Sequence, residues 1–332
     1  MIMNSINSFY RGSKVLVTGG LGFIGSNLAR RLLEVGADVL VVDSLLPNTG
    51  ANCANLKDLE GRLRIRIVDL GKAEEIASLL PGHDIVFNFA GKTSHVDSMT
   101  DPVSDLDANV HAQLVLLEGC RRHMPEGRIV FASTRQVYGR PASCPVDESH
   151  PVRPVDVNGI NKAAGEAYHS LYHRVYGLQT VSLRLTNTFG PRMRVKDARQ
   201  TFLGIWLRRV VEDGVFEVWG GQQKRDLTYV DDAVDAFLAA GSCSTTPGGI
   251  FNIGGGPPIT LAELAELLVT IAGTGRFATK LYPPELMPID IGDYFADDQL
   301  FRKATGWAPK ITLQEGLART VAYYRNCLSD YV

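Results

Sequence analysis

The sequence predicts an α/β protein built on a doubly wound parallel sheet, with a smaller C-terminal α/β lobe. Two observations predict this class. Short apolar runs alternate with helix-length segments through residues 1–185, which is the pattern of parallel βαβ units. A glycine-rich turn directly follows the first apolar run and leads into a helical pattern, as it does in Rossmann-type folds.

Each element is predicted from the spacing of its apolar residues. The predicted strands are, in chain order, Lys14–Thr18, Asp38–Asp43, Leu63–Asp69, Asp84–Phe89, Arg128–Ser133 and Thr180–Leu185. The predicted helices that stand between them are Phe23–Val35, Pro102–Met124 and Val157–Tyr176.

The second half of the chain has a different pattern. After about residue 186, glycine and proline become frequent, and helical segments alternate with long loops. No repeat, low-complexity tract or Pro/Ser-rich linker separates the two halves. We therefore expect residues 1–185 to form the sheet domain, and residues 186–332 to form a substrate-binding lobe that is interleaved with it.

Length and composition exclude several classes of protein. The 332 residues are 45% hydrophobic and 21% charged, which is enough apolar material for a large core and too much for a disordered chain. The 34 Lys and Arg residues balance 36 Asp and Glu residues, so we expect no nucleic-acid partner. The five cysteines contain no CxxC pair, so we expect neither a bound metal nor a redox dithiol. No run reaches the ~18 apolar residues of a membrane span, and we expect a cytoplasmic protein without a membrane partner.

The glycine turn is the strongest local signal. In it, Gly19, Gly22 and Gly25 have the spacing that allows a tight turn, close approach to a pyrophosphate and close helix packing. The start of the next helix supplies free N–H groups and the positive end of its dipole for phosphates. The sequence therefore predicts dinucleotide binding here, with Phe23 and Ile24 among the contacts.

Asp43 closes the second predicted strand, 18 residues after Gly25. A carboxylate at this spacing accepts hydrogen bonds from the ribose hydroxyls of the adenosine. Ser44 and two leucines follow it, without an Arg or Lys to hold a 2′-phosphate. We therefore expect the cofactor to be NAD rather than NADP.

Short motifs follow the predicted strands along nearly the whole chain. They are Asp69-Leu70, Asn88-Phe-Ala-Gly91, Ser133-Thr134-x-x-Val-Tyr-Gly139, Lys162-Ala-Ala-Gly-Glu166, Arg184-x-x-Asn187-x-x-Gly-Pro191, Arg225-Asp226-x-x-Tyr-Val-Asp-Asp232, Asn252-Ile-Gly254 and Thr305-Gly-Trp-x-Pro309. In this order, with the glycine turn, the sequence resembles the extended short-chain dehydrogenase/reductase family, the NAD-dependent nucleotide-sugar epimerases and dehydratases.

The resemblance implies roles for several positions. Besides the glycine turn and Asp43, the implied NAD contacts are Asp69, Leu70, Ala90, Lys92, Asn109 and Lys162. It also implies that Asn187 and Arg225 hold the diphosphate of a nucleotide-sugar substrate, with a free nucleoside as the alternative substrate. The planar guanidinium of Arg225 suits bidentate phosphate binding, with an ion pair to Asp226 or Asp231 as the alternative use.

The catalytic positions depart from the family pattern. The family's Tyr-x-x-x-Lys pair lies on one helix face, where the lysine favours the phenolate that acts as the base. Lys162 matches the lysine, but Asn158 stands at the tyrosine position, and a carboxamide has no proton to exchange near neutral pH. We expect Asn158 to orient a hydroxyl or a water. A second match, Tyr10-x-x-x-Lys14, lies outside the predicted helices, and we do not expect it to be catalytic.

The segment after the fifth strand departs from the pattern as well. Thr134 matches the Ser/Thr that usually hydrogen-bonds the reacting sugar hydroxyl. Arg135 and Gln136 stand where the sugar 4,6-dehydratases carry an Asp-Glu pair, so that elimination machinery is absent. Arg135 offers a charge for a carboxylate, a phosphate or a developing oxyanion, or else forms a structural ion pair. We expect Gln136 to contact the substrate.

The sequence leaves the proton acceptor open. Lys162 is one candidate, because desolvation beside a cationic NAD ring would lower its pKa. His95 is another, since it follows the fourth strand and imidazole titrates near neutrality. Asp97, Glu166 and Asp197 are weaker candidates.

Three functions fit this pattern. The first is an epimerase that oxidises a sugar carbon transiently and returns the hydride. The second is a dehydratase of a sugar nucleotide or nucleoside, and the third is an NAD-binding protein without turnover. The matches at Thr134, Lys162, Asn187 and Arg225 favour an enzyme. We also expect a homodimer, because the two long helices carry apolar residues beyond one core-facing stripe and pair between subunits in the resembling family.

Overall fold

The computed structural model describes residues 2–199 and 201–332. Its strands are β1 Lys14–Thr18, β2 Asp38–Asp43, β3 Arg64–Ile67, β4 Ile85–Asn88, β5 Arg128–Thr134, β6 Gln179–Leu185, β7 Asn187–Phe189, β8 Val215–Trp219, β9 Lys224–Arg225, β10 Leu227–Tyr229, β11 Ile250–Ile253, β12 Ile259–Thr260 and β13 Arg276–Lys280. In the described residues, seven strands form one parallel sheet in the order β11-β6-β5-β4-β1-β2-β3. Because the order reverses between β1 and β4, the sheet is doubly wound, and the predicted fold class is confirmed.

Helices surround this sheet. The α-helices are α1 Ile2–Tyr10, α2 Phe23–Glu34, α3 Ala73–Leu79, α4 His95–Thr100, α5 Pro102–Leu106, α6 Ala112–His123, α7 Val157–Tyr176, α8 Phe202–Val211, α9 Val230–Ser242, α10 Leu261–Ala272, α11 Gln299–Thr305 and α12 Leu313–Cys327. A π-helical turn, Asp107–His111, joins α5 to α6. Short 3₁₀ segments lie at Cys53–Leu59, Arg135–Tyr138, Pro284–Ile289 and Leu328–Asp330.

Alternate residues of the central strands pack into two separate cores. Val15 and Val17 of β1 belong to the core that contains Leu28 of α2. Leu16, between them, belongs to the core on the opposite face, with Leu116 of α6. This is the period-2 alternation of a strand that is buried on both faces. The sheet is therefore the middle of three layers. Because both of its faces are covered, a ligand site can form only at the ends of its strands.

The C-terminal half of the chain returns to the sheet. Helix α9 packs beside α2, and β11 pairs with β6 from Ile250 opposite Ser182 to Ile253 opposite Leu185. The remaining strands form three two-stranded sheets, β7 with β10, β8 with β13 and β9 with β12, within the described residues. The two halves of the chain are thus packed together through α9 and β11.

The observed elements differ from the predicted ones in several places. The predicted helix Pro102–Met124 consists of α5, the π turn and α6, because the π turn redirects Asn109 into a buried hydrogen-bond network described below. The predicted strand Leu63–Asp69 shortens to β3, which lies at the sheet edge. The other predicted ends either match or shift by one residue, and β11 was not predicted.

Helix α1 was also not predicted. Its last residue, Tyr10, is fully buried, and its hydroxyl donates a hydrogen bond of 2.8 Å to the Leu238 carbonyl on α9. Burial raises the pKa of Tyr10 well above its usual value. Tyr10 therefore ties α1 to α9.

Within the described residues, no helix has both the length and the apolar character required to cross a membrane.

Candidate active site

A cavity of about 1100 Å³ lies at the carboxyl ends of the central strands. One wall contains the residues that end or follow β1, β2, β4, β5 and β6, and residues of α8, β8 and β9 contribute to the other wall. This edge of a doubly wound sheet is where such folds bind their ligands. Because a site for one ligand usually measures roughly 300–1,000 Å³, this cavity has room for a cofactor together with a substrate.

The glycine turn forms one end of the cavity. Gly19 has a φ of +63°, and a Cβ there would lie 2.7 Å from the carbonyl carbon of Phe89. A Cβ at Gly25 would lie 2.8 Å from the Cα of Gly20. Both positions therefore require glycine, the first for its backbone conformation and the second to let α2 pack against the turn.

The N-terminus of α2 lies in the wall next to this turn. The residues of the turn and of the helix start that line the cavity are Gly19, Gly22, Phe23, Ile24 and Gly25. Unpaired N–H groups and the positive end of the helix dipole at such a position favour phosphate oxygens. The predicted dinucleotide contacts are therefore brought together, and the donor set fits a pyrophosphate.

Asp43 stands at the end of β2 and is nearly buried. Its Oδ2 accepts a hydrogen bond from the Leu21 N–H and its Oδ1 one from the Leu45 N–H, each at 3.0 Å. Burial raises the pKa of Asp43, while these N–H groups oppose that shift. Each carboxylate oxygen can accept more than one hydrogen bond. Asp43 is thus held in place on the cavity wall and can still accept from ribose hydroxyls.

Four of the other predicted NAD contacts line the cavity, namely Asp69, Leu70, Ala90 and Lys162. Two do not. The ammonium of Lys92 turns to Ser104 Oγ, and its carbonyl accepts from Asn109 Nδ2 at 3.1 Å. Asn109 is fully buried in the π turn. The Lys92 carbonyl and the Asn109 side chain thus hold the loop that follows β4 from behind, which is a supporting role, and their direct contact with NAD stays a prediction.

Behind this loop, the buried carboxylate of Asp105 accepts three amide hydrogen bonds. Its Oδ1 accepts from Asn109 Nδ2 and Asn161 Nδ2, both at 2.9 Å, and its Oδ2 accepts from Asn158 Nδ2 at 3.1 Å. Asn158 Nδ2 also donates to the Lys92 carbonyl at 2.8 Å. Asn158 is 2% exposed. Its amide hydrogens are therefore engaged in holding the cavity wall, a role that the sequence did not reveal.

Lys162 lies one helical turn after Asn158 on α7. Its Nζ donates to the Ala132 carbonyl at 3.2 Å and lies 5.1 Å from the centroid of the Phe131 ring. Burial lowers the pKa of Lys162 to about 8, and the Asp105 carboxylate acts in the opposite direction. The amine is thus a hydrogen-bond donor on the cavity wall at neutral pH.

Thr134 and Gln136 line the cavity after β5. Thr134 caps the 3₁₀ segment, since its Oγ1 accepts from the Gln136 N–H at 3.3 Å. The Oε1 atom of Gln136 is buried and lacks a hydrogen-bond partner among the described residues. Both side chains therefore lie where the sequence places a substrate hydroxyl.

Two arginines carry positive charge into the cavity wall. Burial lowers the pKa of Arg135 to about 10, and nearby Arg225 acts in the same direction. Arg135 donates to Asn187 Oδ1 at 2.9 Å, and its guanidinium lies over the Tyr294 ring. Arg225 donates to the carbonyls of Lys224 and Gly292. Within residues 2–199 and 201–332, neither guanidinium forms an ion pair, so the site favours an anionic ligand.

The third catalytic candidate lies at the start of α4. His95 Nδ1 is 2.9 Å from Asp156 Oδ2, and His95 Nε2 is 2.6 Å from Gln136 Nε2. Asp156 Oδ1 caps α7 by accepting from the Gly159 N–H at 2.6 Å. Sequence analysis missed Asp156 as a site residue. An Asp before a predicted helix indicates an N-cap, but nothing local indicates its pairing with a histidine 61 residues away.

Among the described residues, no three His, Cys, Asp or Glu side chains come together as ligands for a metal ion. The five cysteines are free thiols.

Residues 15–254 match the family model described as the NAD dependent epimerase/dehydratase family. A dTDP-glucose 4,6-dehydratase of Streptomyces niveus is 32% identical over 326 residues, covering 94% of this chain and 93% of the relative.

Two solved structures are similar over nearly the whole chain. The UDP-glucose 4-epimerase of Thermotoga maritima, solved with UDP-glucose, has a TM-score of 0.87 and 31% identity, and covers 95% of this chain and 99% of that one. The Thermus thermophilus UDP-glucose 4-epimerase in complex with NAD has a TM-score of 0.83 and 31% identity, with the same coverage.

We predict that Asn158→Tyr lowers the free energy of unfolding and does not raise turnover. The Asn158 amide donates to both the Asp105 carboxylate and the Lys92 carbonyl, whereas a phenol has a single O–H donor. At least one of these two acceptors therefore loses a hydrogen bond, which lowers the free energy of unfolding by about 1–3 kcal/mol. Denaturant titration measures the stability, and steady-state assays measure turnover. Arg174→Tyr, at an exposed position of the same helix, is the control and should be nearly neutral. A gain in turnover in the Asn158 variant would contradict this account.

Proposed function

Because the chain belongs to the NAD dependent epimerase/dehydratase family, we propose that it is a nucleotide-sugar epimerase that oxidises a sugar carbon transiently and returns the hydride. The observation that carries the proposal is the cavity. Its lining includes the glycine turn, Thr134, Lys162 and two guanidiniums that form no ion pair within the described part of the chain. A nucleotide sugar bound by its diphosphate would extend its sugar toward these two residues.

The cofactor of this reaction is NAD, held by the glycine turn, by the N-terminus of α2 and by Asp43. When bound, NAD supplies a hydride acceptor that becomes a hydride donor for the return step. The part of this chain is to hold the dinucleotide and to orient the sugar. Lys162, with its donating amine on the cavity wall, would contact the nicotinamide ribose.

The substrate diphosphate would lie against Arg225 and Asn187. Arg225 is 7% exposed, and a buried guanidinium without a carboxylate partner gains most from a phosphate. Asn187 shares the cavity wall and accepts from Arg135, so the two arginines and this amide form one anion-binding surface. A nucleoside without phosphates would leave this surface unused.

A dehydratase that loses a β-leaving group is the alternative, favoured by the similarity to the Streptomyces niveus enzyme. Against it, Arg135 and Gln136 occupy the positions of the acid and base of 4,6-elimination. An NAD-binding protein without turnover is the second alternative.

We also propose that the protein is cytoplasmic, and the free thiols at all five cysteines agree with this location.

The test of this function is incubation of the purified protein with a panel of nucleotide sugars in deuterium oxide, followed by chromatography and mass detection. We expect an isomer of one substrate that has gained no carbon-bound deuterium, since the hydride returns from the cofactor. A product that has lost water would identify the dehydratase instead. Recovery of every substrate unchanged would support the protein without turnover.

Asp43→Ala should weaken NAD binding and reduce the discrimination against NADP. The wild-type carboxylate accepts from the ribose hydroxyls and repels a 2′-phosphate, and alanine does neither. Calorimetric titration with both dinucleotides measures the two affinities. Asp38→Ala, at the exposed start of the same strand, is the control and should bind NAD like the wild type. Equal affinity of the wild type for both dinucleotides would refute the assignment.

We also propose that a second copy of the chain covers the outer face of α7. This face carries a stripe of apolar and small residues at helical spacing, Ile160, Ala164, Ala167, Leu171 and Val175. Ile160 is 53% and Val175 60% exposed, while five polar residues of α7 are buried, namely Asn158, Asn161, Lys162, Glu166 and His169. Val103 and Leu106 of α5 are exposed as well. Such a helix buries its polar face in the site and leaves its apolar face for a partner.

Light scattering should report a particle of twice the 36.2 kDa chain mass. Ile160→Asp, which puts a charge into the apolar stripe, should shift the protein toward the monomer. Leu300→Asp on α11, which is exposed to a similar degree outside α5 and α7, should leave the dimer intact. A wild-type particle of single-chain mass at every concentration would end this proposal.

A further inference from the structure

The His95–Asp156 pair stands at the cavity without a function in the family pattern. We infer that His95, oriented by Asp156, is the group that accepts and returns the proton of the sugar hydroxyl, in place of the missing tyrosine. This inference rests on the proposed function, and it adds Asp156 as a positioning residue.

The hydrogen bonds define which nitrogen of the imidazole can act. Asp156 Oδ2 accepts at 2.9 Å from Nδ1, which places the ring proton on Nδ1 and the free lone pair on Nε2. Burial is the largest effect on Asp156 and raises its pKa, but the hydrogen bond and charge of His95, the Gly159 N–H and the charge of Arg135 together outweigh it, so the pKa lies below its usual value. The Gly159 N–H binds the other carboxylate oxygen. Asp156 is therefore a fixed anion that can stabilise the imidazolium.

His95 is held beside the turn of α7 that carries Asn158, the position at which the family has its tyrosine. Helix α4 packs on the start of α7, where Ser98 Oγ accepts at 3.2 Å from the Asn158 N–H. The imidazole is thus held against the first turn of α7, the turn that carries Asn158. The His95 side chain is one-third exposed and lines the same cavity as Thr134 and Lys162. Gln136, two residues after Thr134, has its Nε2 at 2.6 Å from His95 Nε2, which brings the imidazole to the 3₁₀ segment that Thr134 caps.

The other acidic candidates are engaged elsewhere. Glu166 is buried in an ion pair with Arg184 at 2.7 Å and also accepts from Ser133. Asp97 pairs with Arg199 at 3.0 Å. Asp197 is paired with Arg194.

Lys162 is the remaining competitor for the proton. Its Nζ donates to the Ala132 carbonyl at 3.2 Å, and under the proposed function its other hydrogens hold the nicotinamide ribose, a role that it keeps only while it is protonated. The neutral His95 ring, by contrast, offers Nε2 as an acceptor, which the Gln136 amide occupies until a hydroxyl replaces it. The structure therefore separates the two functions that lysine and tyrosine share in the family, with Lys162 positioning the ligand and His95 moving the proton.

Gln136 can accompany both protonation states of His95. With a neutral ring, the Gln136 amide N–H donates to Nε2 at 2.6 Å. With an imidazolium, rotation of the amide would present its Oε1, the atom that lacks a partner, to the Nε2–H. A sugar hydroxyl that donates to Nε2 takes the place of the amide N–H.

The oxidation moves one proton and one hydride from the sugar. The hydroxyl O–H bond breaks and its proton moves to Nε2 of His95, giving an imidazolium paired with Asp156. The carbinol C–H bond breaks, and its hydride, with both electrons, reduces NAD⁺ to NADH while the C=O bond forms. In the return step the hydride is delivered to the other face of the ketone and Nε2–H returns the proton, so the enzyme ends as it began.

The first test needs no substrate. Long-range ¹H–¹⁵N spectra of the full-length ¹⁵N-labelled protein, at a pH high enough to deprotonate imidazoles, report which nitrogen carries the proton, and His95→Gln assigns the signals. We expect His95 as the Nδ1–H form in the wild type and a loss of that preference in Asp156→Asn. Because Asn caps helices about as well as Asp, this variant keeps α7 capped. An Nε2–H form in the wild type would overturn the inference.

The second test is turnover with the nucleotide sugar identified by the panel. His95→Ala should lower kcat by about 10²–10⁴-fold, the range for loss of a general base, and added imidazole should restore part of it. Asp156→Asn should lower kcat more than it changes KM. His123→Ala, at the exposed end of α6, should leave the activity unchanged.

The two failures can be told apart. A wild type that turns over no nucleotide sugar would overturn the proposed function and this role with it. A wild type that turns over while His95→Ala keeps its kcat, or falls without any rescue by imidazole, would overturn the role of His95 alone.

Discussion

The buried carboxylate of Asp105 is the interaction on which the site depends. Its three amide donors come from the π turn and from two positions of α7, and one of these, Asn158, also binds the carbonyl of the loop after β4. A buried carboxylate is tolerated only when its oxygens are hydrogen-bonded. The need to satisfy Asp105 thus fixes α5, α7 and the loop against one another, and with them Lys162 and the wall of the cavity.

The same cavity holds two positive charges that the described part of the chain does not pair. Burial and the nearby charge of Arg225 lower the pKa of Arg135. Burial also lowers the pKa of Arg225, against the effect of the Asp290 and Asp293 carboxylates. Asp226, which follows Arg225, is itself so buried that its pKa rises to about 7. Such a site is destabilised until an anion enters it. The phosphates of a nucleotide sugar would supply that anion. Binding such a ligand would offset the free energy that it costs to bury two guanidiniums without a carboxylate partner in the described part of the chain.

The sequence was sufficient for the features that depend on local patterns. Six of the seven strands of the sheet, the glycine turn and Asp43 could be predicted, because apolar spacing and glycine spacing are visible in consecutive residues. Helix α1 and the π turn could not, because they are stabilised by distant partners, Leu238 for Tyr10 and Lys92 for Asn109. For the same reason the sequence could nominate His95 but not its partner.

The account depends most on the claim that Asn158 is an anchor for Asp105. The direct test is a double-mutant cycle on the free energy of unfolding, with Asn158→Ala, Asp105→Asn and the double variant. The account predicts a coupling of about 0.5–3 kcal/mol, as for residues that share a hydrogen-bond network. Asp105→Asn combined with the distant Tyr10→Phe should be additive. If the effects at Asn158 and Asp105 also add to within about 0.3 kcal/mol, Asn158 does not hold Asp105, and its replacement of the tyrosine needs another explanation.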